Sequence, residues 1–192
     1  QDGFPRLPVF FVLGVPFPFP ISQPFQVLQG SPAAPLCHPF EFSLDGCGKA
    51  IQDYPHWFEH DPAWHARAVA LAAKTCDLTV WLDRVGLETR GLQPLDKVIT
   101  YHDACHLHHG QGVVGEPRRV LAQLPGTRYV ELTEANWCCG SAGIYNVTHF
   151  AESVEVRDRK MAHIAATGAD VVLTGNPGCL LQLRYGIARH GL

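Results

Sequence analysis

The sequence predicts an α/β fold: a parallel sheet with crossover helices on its faces and cysteine-bearing loops at the carboxyl ends of its strands. Three observations carry this expectation. Short apolar runs alternate with helical patterns from about residue 96 onward, the order that parallel strands joined by crossover helices produce. Cysteines follow these runs, at Cys105, at the adjacent pair Cys138 and Cys139, and at Cys179. Glycines and prolines stand where the helical patterns should start or stop, as at Pro177, Gly126 and Gly168.

The amino-terminal part does not share this pattern. Residues 1–42 hold eight of the ten phenylalanines and nine of the fifteen prolines, but only three charged residues, Asp2, Arg6 and Glu41. They read as an extended Phe/Pro-rich segment distinct from a domain over residues 43–192. Their longest apolar stretch, LPVFFVLGVPFPFPI, has 15 residues with four prolines, whereas a bilayer-spanning helix needs about 20 mostly apolar residues. A signal peptide stays open as a reading, though neither a basic n-region nor a clear small-residue cleavage site accompanies the run.

Further on, Asp61 is a fitting N-cap with Pro62 at the first helical position. Trp64, Leu71, Leu78, Leu82 and Val85 recur on one helical face, which predicts a single helix running to Gly86, with Cys76 buried inside it as a structural residue. DKVITYHD predicts a buried strand entering a loop, EPRRVLAQLPG a short helix closed by Pro125 and Gly126, and TRYVEL the strand that delivers the chain to the paired cysteines. ESVEVRDRKMAHIAATG predicts a helix stopping at Gly168, ADVVLTGN a third strand, and PGCLLQLRYGIARHG a final helix with Pro177 in its first turn.

The formal net charge of −3 gives no basic footprint for nucleic acid or an anionic membrane surface. Seven cysteines are an odd number and unevenly placed, unlike a secreted disulfide framework. They suit a reducing compartment with metal-bound or buried thiols. On a strand two adjacent side chains point to opposite faces, but in a loop followed by glycine both can be aimed at one object, as in NWCCGSAG. Carboxyl ends of parallel strands lie along one edge, so Cys105, Cys138, Cys139 and Cys179 are expected to converge there.

Four thiolates are the usual complement of a 4Fe–4S cluster, and soft sulfur donors select iron–sulfur centres or zinc. Gly140, Gly143 and Gly178 would let backbone amides approach such a centre. The competing readings are buried structural cysteines, structural zinc, whose usual paired C-x2–4-C ligands are missing, and a strained Cys138–Cys139 disulfide. Of His102, His106, His108 and His109 around Cys105, most are expected to be solvated or hydrogen-bonded behind the ligands rather than ligating. His102 or His106 is the candidate for tuning the centre. No Walker loop, dinucleotide fingerprint, nucleophile elbow or H-E-x-x-H occurs.

HDACHLHHGQGV, NWCCGSAGIYN and TGNPGCLLQL together resemble the cysteine-rich CCG domain, most closely the iron–sulfur subunit of glycolate oxidase. The same domain type occurs in the lactate-utilisation iron–sulfur protein and in the cysteine-rich subunit of heterodisulfide reductase. The resemblance covers roughly residues 45–190. Members carry two CCG units, each with a lone cysteine, a CC pair and a terminal C-x-x-C. Cys105, Cys138, Cys139 and Cys179 match the second unit, with Asn176 where the first cysteine of the terminal pair would stand. Cys47 resembles the last cysteine of the first unit and is a further candidate ligand, while Cys37 is not carried over.

The resemblance implies an electron-transfer subunit holding an iron–sulfur cluster, expected to be 4Fe–4S. Its partners would be flavin-containing subunits that oxidise glycolate or a similar 2-hydroxy acid, in the cytoplasm or at the inner face of the membrane through those partners. Substrate chemistry would occur at the partner's flavin, so no catalytic residue is assigned here. Thiol chemistry of the heterodisulfide reductase kind is the alternative, and Asn176 weighs against it. The missing rest of the first unit, the missing ferredoxin-like region and the unrelated Phe/Pro-rich opening suggest a truncated or mis-joined member, the third reading being a remnant without function.

Overall fold

A computed structural model describes residues 9–11 and 45–192. Its centre is a four-stranded, wholly parallel sheet in the order β1-β4-β2-β3, with β1 Val9–Phe11, β2 Lys97–His102, β3 Thr127–Tyr129 and β4 Val171–Thr174. The predicted α/β class is thus the one observed. In β2, Ile99, Thr100, Tyr101 and His102 are all buried, as a strand covered on both faces requires. His102 stands opposite Thr174 in the register, so β2 and β4 end at the same level and release their loops side by side.

Helices α1 Asp45–Gln52, α2 Tyr54–Trp57, α3 Pro62–Ala72 and α4 Leu78–Val85 precede β2. A π-helical turn, His106–Gly110, and α5 Gly115–Leu121 join β2 to β3, then α6 Tyr145–Thr148 and α7 Phe150–Thr167 lead into β4. The described chain closes with α8 Pro177–His190. α7 stops where expected, because Gly168 takes the left-handed conformation with φ 60° that ends a helix cheaply. α8 carries Pro177 in its first turn, where the missing N–H costs nothing.

Leu107, Leu132, Met161, Ile164, Val172, Leu183 and Ile187 form the larger core cluster, and Cys139 and Cys179 are part of it. A smaller cluster of Ile99, Tyr101, Leu121 and Val171 lies apart from it. The helices α7 and α8 meet closely: a Cβ on Gly186 would lie 2.6 Å from Met161 Sδ, so a larger residue there would push the pair apart.

Several expectations are corrected. The helix predicted from Asp61 to Gly86 is two helices, broken between Ala72 and Leu78. Thr75 turns its hydroxyl back to the Leu71 carbonyl at 3.0 Å, and Asp77 caps α4 by accepting from Thr79 N at 2.8 Å and Thr79 Oγ1 at 2.5 Å. The cap was legible as an Asp two residues before a threonine, but the apolar spacing overrode it. Cys76 therefore sits in this break, half-buried, rather than inside a helix. The apolar stripe does not seal against the core as a unit: Trp64, Leu71 and Val85 are exposed, with Arg67 lying over the Trp64 ring at 4.5 Å. Finally β3 ends at Tyr129 and α5 at Leu121, each earlier than predicted.

Within the Phe/Pro-rich segment, Val9–Phe11 pair in parallel with Val172–Thr174 as an edge strand. The boundary at residues 42 and 43 and Cys37 fall outside the described residues. No described helix is long and apolar enough to cross a membrane.

Candidate metal centre

The loops leaving β2, β3 and β4 meet over a cleft of about 320 Å³. Cys105, Cys138, Cys139 and Cys179 all line it, joined by Cys47 from α1. None of the six described cysteines is in a disulfide, so no such bond ties the adjacent pair. Cys139 and Cys179 are buried, with their sulfurs 3.1 Å apart; Cys105 and Cys138 are half-buried, and Cys47 is exposed.

Each sulfur is positioned by its own local device. Cys105 precedes the π-helical turn, and its Sγ lies 3.7 Å from His106 Nδ1. Cys179 is the third residue of α8, whose N-cap is Asn176: the Asn176 Oδ1 accepts from Cys179 N at 3.0 Å. The residue that replaces a cysteine in the C-x-x-C pattern thus serves as a helix cap. It sets Cys179 at the positive end of a 14-residue helix, a place that favours a thiolate.

The CC loop is pinned along α7. Trp137 Nε1 donates to the Val156 carbonyl at 3.2 Å, and the Arg159 guanidinium covers the Trp137 ring at 4.0 Å. Ser153 Oγ donates to the Gly140 carbonyl at 2.8 Å and accepts from Gln182 Nε2 at 2.9 Å. Gly140 has φ 86°, and a Cβ there would lie 2.5 Å from the Ser153 carbonyl oxygen, so this turn admits only glycine. Its N–H donates to Cys138 Sγ at 3.3 Å, the amide-to-sulfur contact that the glycine-rich turn led us to expect.

The electrostatics follow from burial. The Cys138 thiol is pushed far up by its hydrogen bond with Cys139 and by desolvation. For Cys139 the bond with Cys138 pulls the other way, but the contact with Cys179 and burial outweigh it and raise the thiol to about 12. Without a cation in the cleft these thiols stay protonated. Such a donor set is ready for a soft metal, which would displace the protons.

His102 also lines the cleft, at 1% exposure, and forms a group with Cys139 and Cys179 whose ligand atoms lie within 4.8 Å of one another. Neither ring nitrogen has a hydrogen-bond partner among the described residues. Burial, then the Lys160 charge, lower its pKa to about 3, so the imidazole is neutral. The other histidines diverge. His106 lines the rim, His108 Nδ1 lies 3.3 Å from Asp103 Oδ2, and His109 packs edge-on against His108 at 4.6 Å between ring centroids.

Two groups that sequence reasoning missed support the site from below. Asp103, just after β2, is buried and gripped by both Nη atoms of Arg118 at 3.0 Å, while Arg118 also reaches Glu131. Its carboxylate follows His102 in HDAC, and an acid ahead of a buried cysteine loop was the available signal. Lys160 on α7 is fully buried and donates to the Glu134 carbonyl and, at 3.1 Å, to that of Ala135. Desolvation lowers its pKa to about 8. Nothing in the α7 sequence marks Lys160 from the exposed basic residues around it.

A parallel sheet whose strand ends deliver three cysteine loops to one cleft describes a cysteine-rich domain. Residues 99–184 match the family of that description, the CCG cysteine-rich domain. The chain is 40% identical over 148 residues to a probable glycolate oxidase iron–sulfur subunit of Bacillus subtilis, covering 77% of this chain and 33% of that protein. It is 38% identical over 146 residues to lactate utilization protein A of Geobacillus kaustophilus, covering 76% of this chain and 61% of that protein. The same-named protein of Lysinibacillus sphaericus is 36% identical over 146 residues, 76% of this chain and 64% of that protein. The chain thus spans between a third and two thirds of the curated relatives it matches.

Proposed function

We propose that this chain is an electron-transfer element of a 2-hydroxy-acid oxidoreductase, holding a 4Fe–4S cluster on Cys105, Cys138, Cys139 and Cys179, with Cys47 within reach as a further ligand. The observation that carries the reading is the lining of one cleft by these five cysteines, drawn from four separate parts of the chain. The soft, all-sulfur donor set fits the group, and the left-handed Gly140 turn leaves its amide facing a sulfur. A bound cluster supplies reversible one-electron storage at a potential set by charge, hydrogen bonding and exposure.

The residues of the chain do the rest. Asn176 and the start of α8 orient Cys179, Ser153 and Trp137 hold the CC loop, and the neutral His102 with the surrounding core keeps water from the inner face. Cys47 and Cys105 lie nearer solvent, the side from which a partner can exchange electrons. The partner is a flavin-containing subunit at which glycolate is oxidised, in the cytoplasm or against the inner membrane face. Lactate is the second substrate to test, because relatives named for lactate utilization are matched over a larger share of their length.

The test is co-expression with candidate flavoprotein partners, followed by reduction of the bound chromophore by glycolate or lactate under anaerobic conditions. Bleaching by one acid, dependent on the partner and absent in Cys179→Ser, is the expected result. A chromophore that neither acid reduces in any assembled complex would overturn the electron-transfer role.

A further inference from the structure

Lys160 carries a buried charge with no carboxylate hydrogen-bonded to it among the described residues. Its side chain is fully buried, and burying an ammonium without an opposite charge is costly. Among the described residues its hydrogen bonds go to two neutral carbonyls, those of Glu134 and Ala135. The nearby acids are engaged elsewhere: Asp103 holds Arg118 at both oxygens, and the Glu134 carboxylate turns to Arg159 and His163.

The carbonyls do not need Lys160 either. The Glu134 carbonyl already accepts from Trp137 N at 2.8 Å, and that of Ala135 from Asp103 N at 3.1 Å. A structural cap is therefore a weak reason for a buried lysine. Its field is shared by the Asp103 and Glu134 carboxylates and by the sulfur pair Cys138 and Cys139, which is carried on the loop that starts at those two carbonyls.

We propose that Lys160 is the built-in counter-charge of the metal centre, a positioning residue whose buried ammonium offsets the negative charge of the thiolate-bound group above it and makes that group easier to reduce. This rests on the reading of the cleft as an iron–sulfur site. The effect acts through the electric field at short range in a poorly screened interior, so it does not require contact with the reacting atoms. It also explains why a cation is placed at a core position of α7, where an apolar residue would pack at lower cost.

The experiment uses the full chain, reconstituted anaerobically with iron and sulfide, and follows reduction by electron paramagnetic resonance against potential. Lys160→Gln keeps an N–H donor and drops the charge; Lys160→Arg keeps the charge. At the potential where the wild-type centre is half reduced, Lys160→Gln should show a reduced-to-oxidised ratio about ten-fold lower, a shift of about 59 mV for one electron. Lys160→Arg should stay near wild type. An unmoved ratio in Lys160→Gln, or an equal drop in Lys160→Arg, overturns the inference.

Should Lys160→Gln fail to take up iron, Lys160→Met in the iron-free chain decides the matter by urea unfolding. A counter-charge with no anion above it burdens the iron-free fold, so this variant should unfold at the wild-type urea concentration or higher. A ten-fold or greater rise in its unfolding constant would make Lys160 a structural cap. Wild-type chain that takes up no iron removes the reading of the cleft and this inference together, whereas iron in the wild type with an unmoved potential removes this inference alone.

Discussion

Cys139 and Cys179 are 40 positions apart in the chain, yet their sulfurs lie 3.1 Å from each other at the floor of the cleft. Their meeting is produced by the α7–β4 connection, which returns the chain to the same sheet edge after the CC loop. Because both are buried, replacing either by serine keeps the shape but exchanges a soft donor for a hard one. Cys139→Ser and Cys179→Ser should each lose the visible absorbance of the reconstituted protein, while far-ultraviolet circular dichroism keeps the α/β spectrum. Absorbance retained in both would remove them from the ligand set.

Gly140→Ala tests the turn that presents the pair. The new Cβ would stand 2.5 Å from the Ser153 carbonyl oxygen at a φ of 86°, two independent penalties at one residue. A destabilisation of about 2–4 kcal/mol is expected from the strain and the forced shift of α7. Urea unfolding measures it, and a loss under about 0.5 kcal/mol would mean that the turn relaxes freely.

His102 makes the iron-free fold sensitive to acid. Its folded-state pKa is held at about 3 against an ordinary value of 6.5, so between these values the unfolded chain binds the proton that the folded chain refuses. Stability from this group is therefore complete above pH 6.5 and falls as pH drops toward 3, by about 1.4 kcal/mol per unit. Between about pH 5 and 6.5, above the range in which carboxylates titrate, His102→Leu should flatten the wild-type slope by about one proton. Equal slopes in the two proteins would contradict the burial of a neutral imidazole.

The legible part of this fold was the part that repeats physical rules along the chain. The strands around Ile99 and Val172, the glycine stop at Gly168 and the Pro177 start were readable because each depends on neighbouring residues alone. Convergence of the cysteines was legible too, since parallel topology puts strand ends on one edge whatever the loop lengths. The break at Thr75–Asp77 was not, because a seven-residue apolar spacing mimics a continuous helix when the capping side chain is discounted. Lys160 and the Asp103–Arg118 fork were illegible for a different reason. Their burial is decided by tertiary packing of α5 and α7 against the loops, which no local pattern records.

Asp103→Asn examines that fork. Asp103 is 3% exposed and accepts from both Nη atoms of Arg118, so removing its charge leaves a partly buried guanidinium with Glu131 as its remaining carboxylate partner, beside the Val114 carbonyl. About 2–3 kcal/mol of stability should be lost, toward the lower end of the range for a broken buried pair because Arg118 keeps some solvent contact. Thermal unfolding of the single variant and of Asp103→Asn with Arg118→Met checks it: the double variant should recover part of the loss, and a double variant as unstable as the sum of the two singles would deny the coupling.

The central claim, that the five-cysteine cleft is built to hold an iron–sulfur cluster, is tested most directly by metal analysis. Iron and acid-labile sulfide are measured on anaerobically reconstituted protein, together with its electron paramagnetic resonance spectrum. About four irons and four sulfides per chain, with a paramagnetic signal on one-electron reduction or oxidation that Cys138→Ser and Cys139→Ser abolish, is the predicted result. A folded chain that binds zinc stoichiometrically, or no metal at all, under the same conditions would contradict it.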